Sequence, residues 1–188
     1  MVIADGGDSG EKIVTDRHVI NLGRVRIFPD PGHDHEHCES AIMARAAAKC
    51  QQSGARLTEQ RRLVLQTLAR SHCSMGAYDI LDKLREQGER LTPVAIYRQL
   101  DFLMDQGLVH RLSSLNAFVV CLGPEEGHGS QFLICTSCGV VAEVRNDPMD
   151  RSILDRADQA GFEITQPVVE VMGLCRHCRD QAGGDHEG

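Results

Sequence analysis

The stretch that decides the fold is Thr92-Pro-Val-Ala-Ile-Tyr-Arg-Gln-Leu-Asp-Phe-Leu-Met-Asp-Gln-Gly-Leu-Val-His-Arg-Leu-Ser-Ser-Leu-Asn-Ala-Phe-Val-Val-Cys121. Thr92 followed by Pro93 is a helix start: the threonine side chain caps the free N–H groups, and proline lacks an N–H that would otherwise go unpaired. Ile96, Leu100 and Leu103 then recur on one side of the predicted helix, with Val94, Arg98 and Asp101 on the other, and Gly107 ends it. Leu108 to Leu112 and Ala117 to Leu122 are β-rich runs separated by Ser113-Ser-Leu-Asn116, which predicts a hairpin. A helix with one free polar face followed by a hairpin is the core of a winged helix-turn-helix. Arg98 on the free face can reach guanine edges in a major groove, with Tyr97 beside it packing on a thymine methyl or a phosphate, or Arg98 and Asp101 can simply decorate a solvated surface.

Working outward toward the N-terminus, three further helices are predicted. The first runs from Ser40 to about Gly54. The second opens at Leu57-Thr58-Glu59, with Thr58 as N-cap and Val64, Leu65 and Leu68 facing the core. The third has Ala77, Ile80, Leu81 and Leu84 on its core face, and Gly88 where a left-handed C-terminal residue is wanted. Residues 38–122 thus form the winged helix. Residues 1–37 show weak periodicity and read as a flexible arm carrying the run His33-Asp-His-Glu-His-Cys38.

Toward the C-terminus the composition turns to Gly, Pro and Glu over residues 123–130, a hinge. Gln131 to Ile134 and Val140 to Arg145 follow as strands around a Cys135-x-x-Cys138-Gly139 turn. Asp147-Pro148 starts a helix that Gly161 ends, and Phe162 to Leu174 is a third extended run leading to Cys175-x-x-Cys178. The fold class is therefore α+β: a winged helix followed by a small α/β unit at 131–180, with a tail at 181–188. At roughly 60 residues or fewer, that second unit needs a structural metal or a partner chain.

At 188 residues the chain has room for one ordinary domain or two small ones, and 41% apolar with 25% charged residues is an ordinary globular mix. The net charge of −7 argues against a nucleic-acid partner, but it is unevenly spread. Residues 1–40 hold 4 basic and 8 acidic residues, residues 41–121 hold 11 and 7, and residues 122–188 hold 5 and 12. A net +4 middle between acidic ends suits a DNA-contacting module joined to one that does not touch DNA. No apolar run approaches the 18 or so residues that a bilayer span needs, and the first 30 residues have no signal-peptide pattern. A cytoplasmic protein is expected.

Eight cysteines in such a chain point to metal rather than disulfides. In each Cys-x-x-Cys pair a two-residue spacer lets both thiolates reach one ion, and four thiolates close a tetrahedral Zn²⁺ shell at Cys135, Cys138, Cys175 and Cys178. A closed shell means structure, not catalysis. A redox dithiol would instead sit in a βαβ pattern, which is missing. A second set is scattered: His110 and Cys121 on one face of the hairpin, His128 in the hinge, and Glu143 after the first Cys pair. Together they make a plausible tetrahedral Zn²⁺ shell, though each alone is an ordinary structural or solvated residue. The tract from His33 to Cys38 could bind metal or be solvated. Cys50 and Cys73 read as buried thiols, and Asp82 with Arg85 as an exposed intrahelical pair.

Six motifs, in order, resemble the ferric uptake regulator (Fur) superfamily: Leu57-Thr-x-Gln60, Ala77-Tyr-Asp-Ile-Leu81, Ala95-Ile-Tyr-Arg98 through Leu100, Gly107-Leu-Val-His110, Cys135-x-x-Cys-Gly139 and Cys175-x-x-Cys178. The likeness covers residues 41 to about 180 and is greatest to the zinc uptake regulator (Zur) branch. The resemblance implies a homodimeric, cytoplasmic repressor of zinc uptake genes that binds an AT-rich palindromic operator, with Zn²⁺ as corepressor. It implies two zinc ions per chain, one structural at the four cysteines and one regulatory at His110, Cys121, His128 and Glu143. It places Tyr78 with Tyr97 and Arg98 among the DNA contacts, and lets Asp82 and Arg85 meet a neighbouring dimer on long operators. A shell of one thiolate and two imidazoles favours Zn²⁺ over Fe²⁺ or Mn²⁺. Iron-sensing relatives carry a denser His cluster before the first Cys pair, where this chain has only His128. The alternative is a sensor of iron, manganese or peroxide with the same architecture. An enzyme acting on a small-molecule substrate is not expected, because a zinc deaminase needs proline before its Cys-x-x-Cys and neither pair has one.

Overall fold

The computed structural model describes residues 13–15, 18–20, 28, 35–71, 73–121, 130–144, 147–165 and 167–183. Four helices come first: α1 (His35–Gln52), α2 (Glu59–Ala69), α3 (Ala77–Glu86) and α4 (Pro93–Asp105). Their apolar stripes meet in one core in which Val64, Leu65, Ile80, Leu84, Ile96, Leu100 and Leu103 are fully buried. Val94 and Arg98 stay exposed on the opposite face of α4. Thr92 caps α4 as expected, accepting from the Ala95 N–H at 3.2 Å. Thr58 stands at the N-cap of α2 as expected, with extended backbone, though its hydroxyl makes no cap hydrogen bond.

The chain leaves α3 through Gly88 at φ 88°. The Gly88 N–H bonds the Arg85 carbonyl and the Glu89 N–H bonds the Leu84 carbonyl, each at 2.9 Å, a Schellman closure that demands the left-handed residue. Helix α1 starts at His35, five residues before the predicted Ser40. The early start is anchored by tertiary contact, since Glu39 pairs with Arg70 just past α2 at 3.3 Å. Within the segment read as an arm, β1 (Ile13–Thr15) and β2 (His18–Ile20) pair antiparallel.

Strands β3 (Val109–Leu112) and β4 (Ala117–Val120) form the wing hairpin around the expected turn, with His110 opposite Val119. Met75, in the α2–α3 connection, bridges to Phe118 with mutual backbone bonds of 2.9 and 2.8 Å. One face of the hairpin, with Val109, Phe118 and Val120, closes the helical core. The other face carries His110, Leu112, Val119 and, just beyond β4, Cys121.

That second face packs on a three-stranded sheet of β5 (Ser130–Cys135), β6 (Val141–Val144) and β7 (Val168–Gly173), in the order β6-β5-β7. Strands β5 and β6 are antiparallel, and β5 and β7 parallel. Leu112 and Val119 of the wing join Phe132, Ile134 and Val141 of the sheet in a separate buried cluster, so the hairpin is apolar on both faces and glues the two units together. Helix α5 (Asp147–Gln159) crosses between β6 and β7. The C-terminal unit also contains a helix that sequence periodicity did not predict, α6 (Arg176–Gly183), which starts inside the second Cys pair. Extended structure in the third run is confined to Val168–Gly173 rather than Phe162 to Leu174.

Leu100→Ala is expected to destabilise the winged helix by about 2–5 kcal/mol, because Leu100 is fully buried at the centre of α4. Chemical denaturation followed by circular dichroism measures it. A loss below about 1 kcal/mol would mean that the α2–α4 packing collapses around the truncation.

Candidate metal centres and nucleic-acid interface

The four paired cysteines converge. Cys135 ends β5, and Gly139, at φ 73°, turns the chain back so that the Gly139 N–H bonds the Cys135 carbonyl at 3.0 Å. Cys175 precedes α6 and Cys178 lies in its first turn, which places both sulfurs at the same helix start. All four sulfurs lie within 4.8 Å of one another and none is in a disulfide. Cys138 Sγ and Cys175 Sγ are 3.8 Å apart. A tetrahedron with Zn–S bonds of about 2.3 Å has an edge of about 3.8 Å, so the spacing matches a closed Zn(Cys)₄ shell.

Without a cation these thiols cannot all ionise. Burial raises the Cys135 thiol, but backbone N–H donors from Cys138, Cys175 and Ser137 outweigh it and bring it down to about 6. Cys138 is pushed up to about 12 by burial and by thiol neighbours competing for the same charge. Burial likewise raises Cys175. A divalent cation removes the conflict, because each coordinating thiol is then deprotonated. Phe28 and Val140 pack against this cluster.

The second constellation assembles at the wing–sheet junction. His110 on β3, Cys121 after β4 and Glu143 on β6 bring one ligand atom each within 4.8 Å of the others. His110 Nε2 is 3.3 Å from Glu143 Oε1. Cys121 is buried, and its N–H bonds the Leu108 carbonyl at 3.0 Å, which extends the hairpin by one rung. Burial alone would depress the His110 imidazole, but hydrogen bonds to Cys121 and Glu143 raise it to about 9. The neighbouring thiol and carboxylate thus favour positive charge at this point, which a divalent cation would supply in place of the imidazole proton. One thiolate, one imidazole and one carboxylate fit three corners of a tetrahedral Zn²⁺ shell. His128, the expected fourth ligand, lies outside the described residues, as do the hinge residues 122–129 around it and His33 of the arm tract.

Three supporting residues were not found by sequence reasoning. Arg45 of α1 donates to the Cys121 carbonyl and so braces a candidate ligand from behind. Phe132 sets its ring 5.2 Å from that of His110. Cys73 donates to the Cys138 carbonyl at 3.5 Å and forms a bridge with Val140, which joins the α2–α3 connection to the cysteine turn. Arg45 carried no signal beyond being a helix former, and Cys73 none beyond its apolar character.

The candidate DNA face is open. Tyr78 on α3 is 64% and Tyr97 on α4 40% exposed, and Arg98 next to Tyr97 in α4 is exposed as well. Asp82 and Arg85 form the expected exposed pair on α3, at 3.0 Å. Such a pair contributes tenths of a kcal/mol within one chain.

The ferric uptake regulator family model matches residues 52–172. The zinc uptake regulation protein of Escherichia coli (strain K12) is 38% identical over 138 residues, covering 73% of this chain and 81% of its own. Its counterpart from Mycobacterium tuberculosis (strain ATCC 25618 / H37Rv) is 29% identical over 127 residues, covering 68% and 97%. Among solved structures, a zinc uptake regulator complexed with zinc and DNA superposes with a TM-score of 0.74 at 35% identity, covering 77% of this chain and 97% of the other. Holo XcZur superposes with a TM-score of 0.68 at 37% identity, covering 76% and 99%. With the winged helix, the sheet and both cysteine pairs in place, this chain belongs to the ferric uptake regulator family.

Proposed function

We propose that the protein is a zinc-responsive transcriptional repressor of zinc uptake genes, with Zn²⁺ as corepressor. The observation that carries this is the convergence of His110, Cys121 and Glu143 from two structural units on one point. The similarity to zinc uptake regulators, one of them complexed with zinc and DNA, supports it. A mixed nitrogen, sulfur and oxygen donor set suits four-coordinate Zn²⁺ better than six-coordinate Fe²⁺ or Mn²⁺.

Two zinc ions per chain are part of the proposal: one at Cys135, Cys138, Cys175 and Cys178 for folding, one at His110, Cys121, His128 and Glu143 for sensing. In the second site zinc, when bound, would supply ligand bonds to residues of both wing and sheet. His110 and Cys121 then hold the hairpin against Glu143, and the hairpin carries the helical core with it. In a homodimer this sets the separation of the two α4 helices, and only one separation matches two operator half-sites. By linkage, operator DNA tightens zinc by the same factor that zinc tightens DNA.

A second copy would cover the exposed apolar surface of the C-terminal unit. Leu154 on α5, Phe162, and Val171 and Met172 on β7 are between 46% and 68% exposed, and β7 is a sheet edge. The family is one of regulators, the four cysteines form a closed shell of protein ligands, and His128 as fourth ligand would close the second shell too, which favours a sensor over an enzyme. No helix among the described residues is long and apolar enough to cross a membrane, and the proposed site of action is the cytoplasm.

The test is a gel shift on an AT-rich palindromic promoter fragment across buffered zinc, with iron and manganese as controls. Shifting with zinc at the lowest free-metal level supports the proposal. Preferential response to iron or manganese would move the protein to another sensor class. Arg98→Ala is expected to lose about 1–3 kcal/mol of specific operator binding while leaving non-specific binding nearly intact. Unchanged sequence preference in a competition assay would remove Arg98 as a base reader.

A further inference from the structure

The wing is held to the sheet at a second point that contains no candidate metal ligand. Glu170, on β7, receives three hydrogen bonds from the turn at the tip of the hairpin. The Ser113 N–H donates to Oε1 at 2.7 Å, the Ser114 N–H to Oε2 at 3.0 Å, and the Ser114 hydroxyl also to Oε2. Burial alone would raise the Glu170 carboxyl, but the Ser114 and Ser113 donors outweigh it and hold it below the ordinary carboxylate range, so the group is charged at neutral pH. Three donors converging on one ionised acceptor form a strong arrangement, because charge-assisted bonds are roughly twice as strong as neutral ones.

The position of Glu170 gives the contact meaning. Phe132 on β5 pairs with Glu143 on one side and with Glu170 on the other. Glu143, Phe132 and Glu170 therefore form one rung across the sheet and share one face. Glu143 meets His110 on β3, Phe132 fills the buried space between, and Glu170 meets the turn that follows β3. A single rung thus grips the wing at its base and at its tip.

We propose that Glu170 is a metal-independent latch that docks the wing on the sheet and pre-organises His110, Cys121 and Glu143 for the regulatory ion. The latch is closed in the same conformation that brings those three ligand atoms together. Each grip makes the other easier to form, so loss of the latch must weaken the regulatory ion by the free energy the two share. The effect on zinc rests on the regulatory site proposed above, whereas the latch itself does not.

The experiment uses the full chain in two readouts. Amide hydrogen exchange at Ser113 and Ser114 reports the latch directly, in the wild type and in a Cys121→Ser background that lacks the regulatory thiolate. Chelator competition reports the affinity of the more weakly held zinc ion. Glu170→Ala is expected to expose both amides in either background and to weaken that zinc by about fivefold or more, with the Cys₄ zinc retained. Glu170→Gln preserves shape and one acceptor oxygen, and is expected to fall between. Equal exchange in wild type and Glu170→Ala would overturn the latch. Unchanged zinc affinity would overturn pre-organisation, as would tighter operator binding by Glu170→Ala at saturating zinc. A wild type that takes up only the Cys₄ zinc would remove the regulatory site and pre-organisation together, while exchange would still show whether the latch exists.

Discussion

Cys135→Ser is expected to produce a chain that loses its most tightly held zinc and melts in the C-terminal unit. Cys135 is buried at the end of β5, its sulfur accepts the Cys175 N–H at 3.3 Å, and it is one of four sulfurs that surround a common point. The sheet above it has three strands, with β7 an exposed edge, and much of α5 and β7 is itself solvent-facing. Little apolar burial remains to hold β5, the cysteine turn and α6 together once the shell is open. Structural zinc contributes on the order of 10–16 kcal/mol in small zinc domains, so losing even part of it exceeds what such a unit can spare. Zinc content per chain and thermal melting measure the effect. A wild-type melting curve with full zinc content would contradict it.

Cys121→Ser is expected to do the opposite: a folded protein whose operator binding no longer depends on zinc. Cys121 lies past the end of β4, where its backbone bond to Leu108 does not need the sulfur. Serine fits the same space but is a poor zinc ligand, so His110 and Glu143 would be left without a soft partner. Coupling between an effector and its partner is typically about 5–150-fold, and that whole factor should vanish from the zinc titration of operator affinity. Cys₄ zinc and melting temperature should stay near wild type. Retention of the full zinc response would remove Cys121 from the sensing site. The contrast between the two cysteine variants separates an ion needed for folding from one needed for switching.

Much of this was legible in the chain itself. The Thr92-Pro93 start, the Ile96, Leu100 and Leu103 stripe and the hairpin turn at Ser113–Asn116 are local features, and local features survive into the structure. The paired cysteines were equally plain, because a two-residue spacer has few other uses. Thr58 takes the expected N-cap position, but backbone geometry puts it there without aiming its hydroxyl at a free N–H. Helix α6 went unseen because Arg176–Gly183 is short and polar and offers no apolar stripe to read. Hairpin register and family resemblance hint at the meeting of His110, Cys121 and Glu143, but they do not dictate it. It depends on the apolar contact of Leu112 and Val119 with Phe132, Ile134 and Val141, which no single periodicity encodes. Glu170 left one trace, a lone charge inside the run Val168-Val-Glu-Val171, and nothing in the sequence pointed from it to the wing turn 56 residues earlier.

Anomalous diffraction at the zinc edge, on crystals of the fully zinc-loaded protein, examines the bridging of wing and sheet by one ion most directly. Two peaks per chain are expected, one among Cys135, Cys138, Cys175 and Cys178 and one in contact with His110, Cys121 and Glu143 together. A chain that shows only the first peak, or a second peak whose ligands all come from one structural unit, would contradict the account.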